Sequence, residues 1–245
     1  MHNFFVENGA LDGVFRITGT DHNHIKNVLR MREGDTFLVS HEGKSHLCAL
    51  AGFESDTALA EIVEENYQDT ELPVQLYLFQ GLPKGDKLEL IIQKAVELGA
   101  SGIIPVEMSR SVVKIEDKKR KQKQERWQAI AESAAKQSKR NVIPEVSEAV
   151  SYKKAMDLAS EMDLFLVPYE NERGMAATKD ALEKLKGAKK VGVLIGPEGG
   201  FDDKEIALAK DAGGEIVSLG KRILRAETAA ITALSMCMLF IEITG

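Results

Sequence analysis

Residues 191–201, with the sequence VGVLIGPEGGF, are the segment most informative about the fold of this chain. Its apolar first half, Val191–Ile195, is a candidate strand, and Gly196-Pro197 ends that strand abruptly. Asp202 or Asp203 then begins a predicted helix that ends near Gly213-Gly214. In a parallel sheet, ligands bind at the loops beyond the carboxyl ends of the strands, so this glycine-rich turn is a candidate binding loop.

The pattern of a strand followed by a helix continues over the second part of the chain. Helix-length amphipathic segments alternate with strands, which predicts an α/β domain with a mainly parallel sheet. The strand candidates are Val74–Phe79, Gly102–Val106, Asp163–Val167, Val191–Ile195 and Glu215–Leu219.

Three helices in this part have informative patterns. Asp86 and Glu89 form a capping-box-like start for one helix, which Gly99 closes. A second helix around Trp127 presents its lysines and arginines outward. The last helix, roughly residues 226–243, is apolar on nearly every side, which predicts burial against the sheet or against a second subunit.

The first part of the chain has short β-rich pieces separated by turn residues, which predicts a small barrel. One helix interrupts it, with Asp21 as its expected cap and Ile25, Val28 and Leu29 on one face. The acidic stretch from Asn66 to Pro73 lacks an apolar period and is the expected linker. We therefore expect domains at residues 1–70 and 74–245.

Composition restricts the class of protein. The chain has 245 residues, of which 44% are hydrophobic and 29% charged, as in a globular protein of one or two domains. The longest charge-free apolar stretch, Ala229–Ile241, is shorter than the roughly 20 residues that span a bilayer. The start has no secretory signal, Cys48 and Cys237 are far apart, and the histidines have no ligand cluster. We expect a cytoplasmic protein with no membrane anchor and no metal.

Charge is unevenly distributed around a net charge of −6. Residues 54–72 contain seven acids and no base, whereas residues 110–140 contain eleven bases and four acids. The basic segment is either a solvated helix face or a surface for nucleic-acid phosphates.

A second candidate loop, Gly220–Ala230, follows the last strand. Thr228 and Glu227 suit the start of a helix, but Arg225 opposes the macrodipole there and is expected to have another partner. Neither loop is a dinucleotide fingerprint or a Lys-bearing phosphate loop, which argues against a nucleotide-dependent α/β enzyme.

Taken together, GPEGG at 196–200 and LGKRILRAETA at 219–229 resemble the paired signature of the SPOUT methyltransferases, and specifically the ribosomal RNA small-subunit methyltransferase E family. Residues 24–35, 94–99 and 132–140 also match segments of that family, so the resemblance covers the whole chain. It implies an α/β fold with a trefoil-knotted, mainly parallel sheet, helices on both faces and an N-terminal PUA-like β-barrel. Spacing alone would indicate an ordinary doubly wound sheet.

The resemblance also implies a cofactor and its site. S-adenosyl-L-methionine would lie against three knot loops, and Arg225, Glu198 and Glu227 are the catalytic candidates. The implied cofactor-binding residues are Leu166, Leu194, Ile195, Gly196, Pro197, Glu198, Gly199, Ser218, Leu219, Gly220, Ile223, Leu224 and Arg225.

The implied reaction is methylation of N3 of a uridine in 16S ribosomal RNA, position 1498 of that RNA, on the small ribosomal subunit by a homodimer. Phosphates would be bound by Lys26, Arg30, Arg32, Lys136, Lys139 and Arg140. Two alternatives stay open, an RNA ribose 2′-O-methyltransferase of the same superfamily and a non-catalytic RNA-binding assembly factor.

Overall fold

The computed structural model describes residues 1–170 and 174–244. The chain divides into two compact units. The first contains residues 1–71 and 135–143, and the second contains residues 72–134 and 144–245. The N-terminal unit therefore includes a segment from the middle of the sequence, which a division at one linker does not provide.

The N-terminal unit is built on a five-stranded sheet with the order β1-β3-β4-β5-β2. The β1–β3 pair is parallel and the other pairs are antiparallel. All five strands contribute to one core, which includes Phe4, Phe15, Phe37, Leu50 and Ala60. The strands are β1 (Asn3–Phe5), β2 (Val14–Ile17), β3 (Thr36–His41), β4 (Lys44–Glu54) and β5 (Thr57–Gln68).

A short helix, α1 (Gly19–Asn23), continues into a single π-helical turn, His24–Val28. The prediction that Asp21 caps this helix is wrong. Asp21 lies inside α1, and its carboxylate binds the Lys136 ammonium at 2.9 Å. The expected apolar face is also incomplete, because Val28 is exposed while Ile25 is buried.

The second unit is built on a seven-stranded sheet in which every pairing is parallel. Its order is β12-β10-β11-β6-β7-β8, with β9 also paired to β7. The strands are β6 (Gln75–Gly81), β7 (Gly102–Glu107), β8 (Glu145–Val146), β9 (Val150–Ser151), β10 (Leu164–Pro168), β11 (Lys190–Ile195) and β12 (Gly214–Val217).

Helices cover both faces of this sheet. On one face, α4 and α6 pack with Phe79, Phe165 and Leu194 in one core. On the other face, α7 packs against α2, β6 and β11. The helices are α2 (Lys87–Glu97), α3 (Asp117–Ser138), α4 (Tyr152–Ala159), α5 (Ala176–Lys184), α6 (Asp203–Asp211) and α7 (Ala226–Thr244), with a 3-10 turn at Leu185–Gly187.

The element boundaries correct several expectations. The expected linker begins too early, because β5 continues to Gln68. Asp86 precedes α2 without a side-chain capping bond. The last strand ends at Val217, so Ser218 and Leu219 already belong to the following loop. Asp202, one of the two residues expected to begin this helix, forms a capping box with Glu205.

Candidate functional site

Three loops of the second unit meet around a cavity of about 350 Å³. They follow β10, β11 and β12, which are neighbours in the sheet and therefore end at the same edge. The first turn of α2 and the start of α7 complete the wall. The lining residues are Lys87, Pro168, Tyr169, Glu170, Ile195–Glu198, Gly200, Phe201, Ser218–Ala226 and Ala229.

The turn after β11 is packed closely against its neighbours. The Gly200 N–H donates to the Pro197 carbonyl at 2.9 Å, and Arg110 Nη1 donates to the Gly199 carbonyl at 3.0 Å. A Cβ atom on Gly81 would lie only 2.7 Å from Pro197 Cδ and 2.8 Å from Pro197 N. The end of β6 therefore needs glycine to let this turn approach.

The loop after β12 is anchored by a buried side chain from α5. The Thr178 hydroxyl donates to the Ser218 carbonyl at 2.8 Å and accepts the Ser218 N–H at 3.0 Å. Gly220, two residues later, has a φ of +107°, in the region that favours glycine. Reciprocal bonding and a left-handed glycine together define the path of this loop.

Lys87 and Glu198 form the shortest ionic contact of the cavity wall. The Lys87 ammonium donates to Glu198 Oε1 at 2.7 Å and lies 3.7 Å from Glu227 Oε2. The Lys84 N–H also donates to the Glu198 carboxylate, at 3.2 Å. The carboxylate of Glu198 thus joins the turn after β11 to the start of α2.

These contacts determine the ionisation of Lys87 and Glu198. Desolvation acts to raise the pKa of Glu198, but hydrogen bonds from Lys87, its own N–H and Lys84, with the Lys87 charge, outweigh it and lower that pKa. The Glu198 hydrogen bond raises the pKa of Lys87 against desolvation; Glu198 and Glu227 charges add to this, and the Arg225 charge opposes it. Both partners are therefore ionised at neutral pH.

The structure brings most of the predicted site residues together. Ile195–Glu198, Ser218–Gly220 and Ile223–Arg225 all line the cavity. Gly199 lies in the turn, but Arg110 covers it. Leu166 and Leu194 are buried within the sheet and do not reach the cavity. Glu227 contacts the cavity wall through Lys87, and its Oε2 atom is buried without a hydrogen-bond partner among residues 1–170 and 174–244.

Sequence reasoning missed Lys87 and the residues after β10. Lys87 is 111 positions from Glu198, and its place next to a helix start gave no functional signal. Tyr169 and Glu170 could have been found, because a loop after β10 was expected. That strand extends to Pro168, so the loop begins later than Leu166 suggests.

The predicted RNA-binding residues all lie in the N-terminal unit, in two environments. Lys26, Arg30, Arg32 and Lys139 are exposed. Lys136 is bound to Asp21, and Arg140 is buried, with its guanidinium on Glu71 and its carbonyl accepting from Asn3. Arg140 therefore does not present its side chain to solvent, as phosphate binding would require.

Three loops converge at one edge of a parallel sheet, and two of them bring glycines to the cavity, which is an arrangement of the SPOUT methyltransferases. Residues 70–238 match the RNA methyltransferase domain family, and residues 17–63 match the RNA methyltransferase PUA domain family. The chain is therefore an RNA methyltransferase of this fold, and the fold class expected from the resemblance is confirmed.

Individual relatives define the family more narrowly. The Bacillus subtilis (strain 168) ribosomal RNA small subunit methyltransferase E is 41% identical over 225 residues, covering 90% of this chain and 88% of the relative. The crystal structure of the Neisseria gonorrhoeae enzyme of that name, bound to S-adenosyl methionine, matches with a TM-score of 0.81 and 31% identity, covering 96% of this chain and 95% of the other. A crystal structure of a hypothetical protein matches with a TM-score of 0.90 and 36% identity over 99% and 100% of the two chains. The chain belongs to the ribosomal RNA small subunit methyltransferase E family.

Proposed function

We propose that this chain is a cytoplasmic enzyme that transfers a methyl group from S-adenosyl-L-methionine to N3 of a uridine in 16S ribosomal RNA, position 1498. Its substrate is the assembled small ribosomal subunit. The observation that carries this proposal is the three-loop cavity of a family whose relatives are named as small-subunit RNA methyltransferases. The Neisseria gonorrhoeae relative is described with S-adenosyl methionine bound, which supports the choice of cofactor.

The cavity has the properties that an adenosyl compound requires. Its volume, about 350 Å³, is within the range of small-molecule sites. Ile195, Leu219 and Leu224 supply apolar surface for a flat base, and the glycine-containing loops expose backbone amides and carbonyls for its polar atoms. When bound, S-adenosyl-L-methionine supplies a methyl group already activated by the adjacent sulfonium.

The remaining chemistry is to make the nitrogen available. Uridine N3 carries a proton, and its removal leaves negative charge on the ring oxygens. Arg225 is the group that stabilises this charge, because its side chain is exposed at the cavity. As the electron pair on nitrogen forms the new N–C bond, the sulfur–methyl bond breaks and its pair returns to sulfur.

The two carboxylates are not equivalent as acceptors of that proton. Glu198 already accepts hydrogen bonds from the Lys87 ammonium and the Lys84 N–H, and its lowered pKa makes it a weaker base than an ordinary carboxylate. Glu227 has an oxygen without a hydrogen-bond partner in the described part of the chain. We therefore assign proton removal to Glu227 through a water molecule, because Glu227 itself does not line the cavity.

Binding of the RNA is assigned to exposed cations of the N-terminal unit and of α3. Lys26, Arg30, Arg32 and Lys139 are accessible for phosphate contacts, as are the lysines between residues 118 and 126. Such contacts add affinity without reading sequence, so the target uridine is selected by the shape of the assembled subunit. A homodimer formed along α7 completes the functional unit.

Incubation of the purified protein with labelled S-adenosyl-L-methionine and small subunits that lack the modification tests this proposal. Digestion to nucleosides is expected to give labelled N3-methyluridine. Labelled 2′-O-methyl nucleosides would instead favour the ribose methyltransferase alternative. Failure of calorimetry to detect cofactor binding would favour a non-catalytic assembly factor.

A further inference from the structure

Lys87 has more donors than its known contacts use. It is the first residue of α2, and its side chain, 32% exposed, lines the cavity. An ammonium group has three N–H donors. Within the described residues, Nζ makes one hydrogen bond, to Glu198, and an ion pair at 3.7 Å with Glu227. Donor capacity therefore remains at the wall of the cavity.

Among residues 1–170 and 174–244, four cations and two carboxylates line the cavity, and two of those cations, Lys87 and Arg225, interact electrostatically. Lys87, Arg225 and Glu198 all line it, and the Arg225 charge is close enough to oppose protonation of Lys87. The N3 edge of uracil presents two carbonyl oxygens on either side of one N–H. Cytosine replaces one of those oxygens with an amino group, which is a donor and cannot accept a hydrogen bond from an ammonium. A pair of cations thus matches uracil and disfavours cytosine.

We propose that Lys87 is a second catalytic cation, whose ammonium binds a carbonyl oxygen of the target uracil while Arg225 serves the other. This inference rests on the proposed function, because it concerns the uridine-N3 reaction. Lys87 gives up no proton in the step. The N3 proton leaves to Glu227 through a water molecule, and the resulting negative charge, delocalised onto the ring oxygens, is stabilised by Lys87 until the nitrogen–methyl bond forms.

Replacement of Lys87 by Met tests the inference in single-turnover methylation of unmodified small subunits. Loss of a fixed donor to a developing oxyanion slows an enzyme by about 100- to 1000-fold, and we expect a rate loss in that range. Calorimetry should show that cofactor affinity changes less than about threefold, since the proposed contact of Lys87 is with the target uracil. Lys94→Met is the matched control, because Lys94 is on the same helix and pairs with Glu97.

Two further variants separate substrate contact from support of Glu198. If Lys87 acts only by fixing Glu198, the double variant K87M/E198Q will react as fast as E198Q alone. The inference requires the double variant to be slower than E198Q. Lys87→Arg retains charge and donors, so it should recover most of the rate, and thermal melting of each variant reports whether the fold is intact.

A chemical change in the substrate supplies an independent readout. In subunits rebuilt with 5-fluorouridine RNA, the electron-withdrawing fluorine makes the N3 proton more acidic and reduces the need for charge stabilisation. The rate deficit of K87M should therefore shrink on this substrate, whereas a deficit from altered folding would not change. An equal deficit on both substrates, or a K87M variant as fast as the unsubstituted protein, overturns the role of Lys87 alone. Absence of N3-methyluridine with the unsubstituted protein overturns the proposed function and this inference together.

Discussion

A substitution of Arg225 distinguishes a role in methyl transfer from a role in cofactor binding. It precedes α7, is exposed at the cavity and has no side-chain hydrogen bond or ion pair to residues 1–170 or 174–244. Arg225→Ala should lower the single-turnover methylation rate by about 100-fold while changing cofactor affinity by less than about threefold. Single-turnover kinetics and calorimetry measure the two effects, with Arg225→Lys as the charge-retaining control. Equal losses of rate and affinity would make Arg225 a cofactor-binding residue instead.

Asp163 shows how one exposed carboxylate couples stability to pH. Its Oδ2 atom accepts the Lys190 and Lys189 N–H groups, both at 2.8 Å. These bonds lower the pKa of Asp163 in the folded protein. Its contribution to stability is therefore complete above the unfolded pKa, about 3.9, and is lost as pH falls through the lower folded value.

The expected consequence is a pH-dependent effect of Asp163→Asn. At pH 7 the variant should melt at a lower temperature than the unsubstituted protein, because it lacks the charged acceptor. The difference should shrink as the pH falls from about 4 to about 2, since both proteins then have a neutral side chain. Asp157→Asn, at an exposed aspartate of α4, is the control. A difference in Tm that is constant from pH 7 to pH 2 would contradict this explanation.

The end of β6 packs closely against the turn after β11, at the contact between Gly81 and Pro197. Gly81→Ala would place a Cβ 2.6 Å from Met108 Sδ and 2.8 Å from the Pro197 backbone nitrogen. Because the proline backbone cannot yield as a flexible side chain would, we expect a loss of about 1–3 kcal/mol in the free energy of unfolding. The displaced turn should also weaken cofactor binding.

Urea unfolding and calorimetry measure both effects of Gly81→Ala. Gly187→Ala is the matched control, because no atom of residues 1–170 or 174–244, apart from its two chain neighbours, lies within 4 Å of the added Cβ and the backbone there is not left-handed. That variant should keep its stability within about 0.5 kcal/mol and its cofactor affinity unchanged. A Gly81→Ala protein that binds the cofactor normally would show that the turn does not need this approach.

Elements were predictable from sequence where one pattern determined them. Buried strands such as β6 and β11 have apolar runs bounded by turn residues, and their burial allows no other pattern. Helix caps were less predictable, because a carboxylate near a helix start can bind either the backbone N–H groups of the first turn or a cation from a distant segment. Asp202 does cap α6, whereas Asp21 binds Lys136 from a distant segment, which no local pattern indicates.

The candidate site divides in the same way. The turns after β11 and β12 were predictable because each follows a strand and contains glycine and a family motif. Lys87 and Thr178 were not, since each reaches the site only through tertiary packing, and Thr178 is 40 positions from the Ser218 that it binds. Residues that support a site from another element therefore need the structure to be identified.

The cations of the N-terminal unit have two physical roles, phosphate binding and stabilisation of the fold. Arg32 is exposed, whereas Arg140 is buried on Glu71. Arg32→Ala should weaken binding to small subunits and reduce the slope of log K against log salt by about 0.7–0.9, without changing stability. Arg140→Met should instead lower the free energy of unfolding by about 3–5 kcal/mol, because it leaves a partly buried carboxylate unpaired.

Salt-dependent binding and urea unfolding distinguish these roles. Lys26→Ala is a second exposed-cation variant and should behave like Arg32→Ala. A reduced salt slope for Arg140→Met, with unchanged stability, would restore Arg140 as a phosphate contact. Affinity that does not depend on salt in the unsubstituted protein would contradict the assignment of this surface to RNA.

The last helix has exposed apolar side chains near its C-terminal end. The helix α7 is long and apolar enough to span a membrane. Core helices of globular proteins have the same length and composition, so these properties alone do not indicate a membrane span. Only 33% of its residues are buried, and Leu239 and Ile243 are 51% and 79% exposed. Its N-terminal end lines the cavity, whereas Leu239 and Ile243 lie toward its C-terminal end. We propose a second copy of the chain as the partner of this helix, because a twofold dimer pairs the same face of both copies.

Leu239→Glu tests whether that partner is a second copy. The unsubstituted protein should sediment at twice the chain mass of 26.9 kDa, and the variant should sediment as a monomer, because a buried unpaired carboxylate opposes association. Methylation should fall with the dimer, since the homodimer is the proposed functional unit. Leu11→Glu, at an exposed leucine of the N-terminal unit, should leave the mass unchanged. A monomeric unsubstituted protein with full activity, or one recovered only in membranes, would exclude the dimer as the partner of α7.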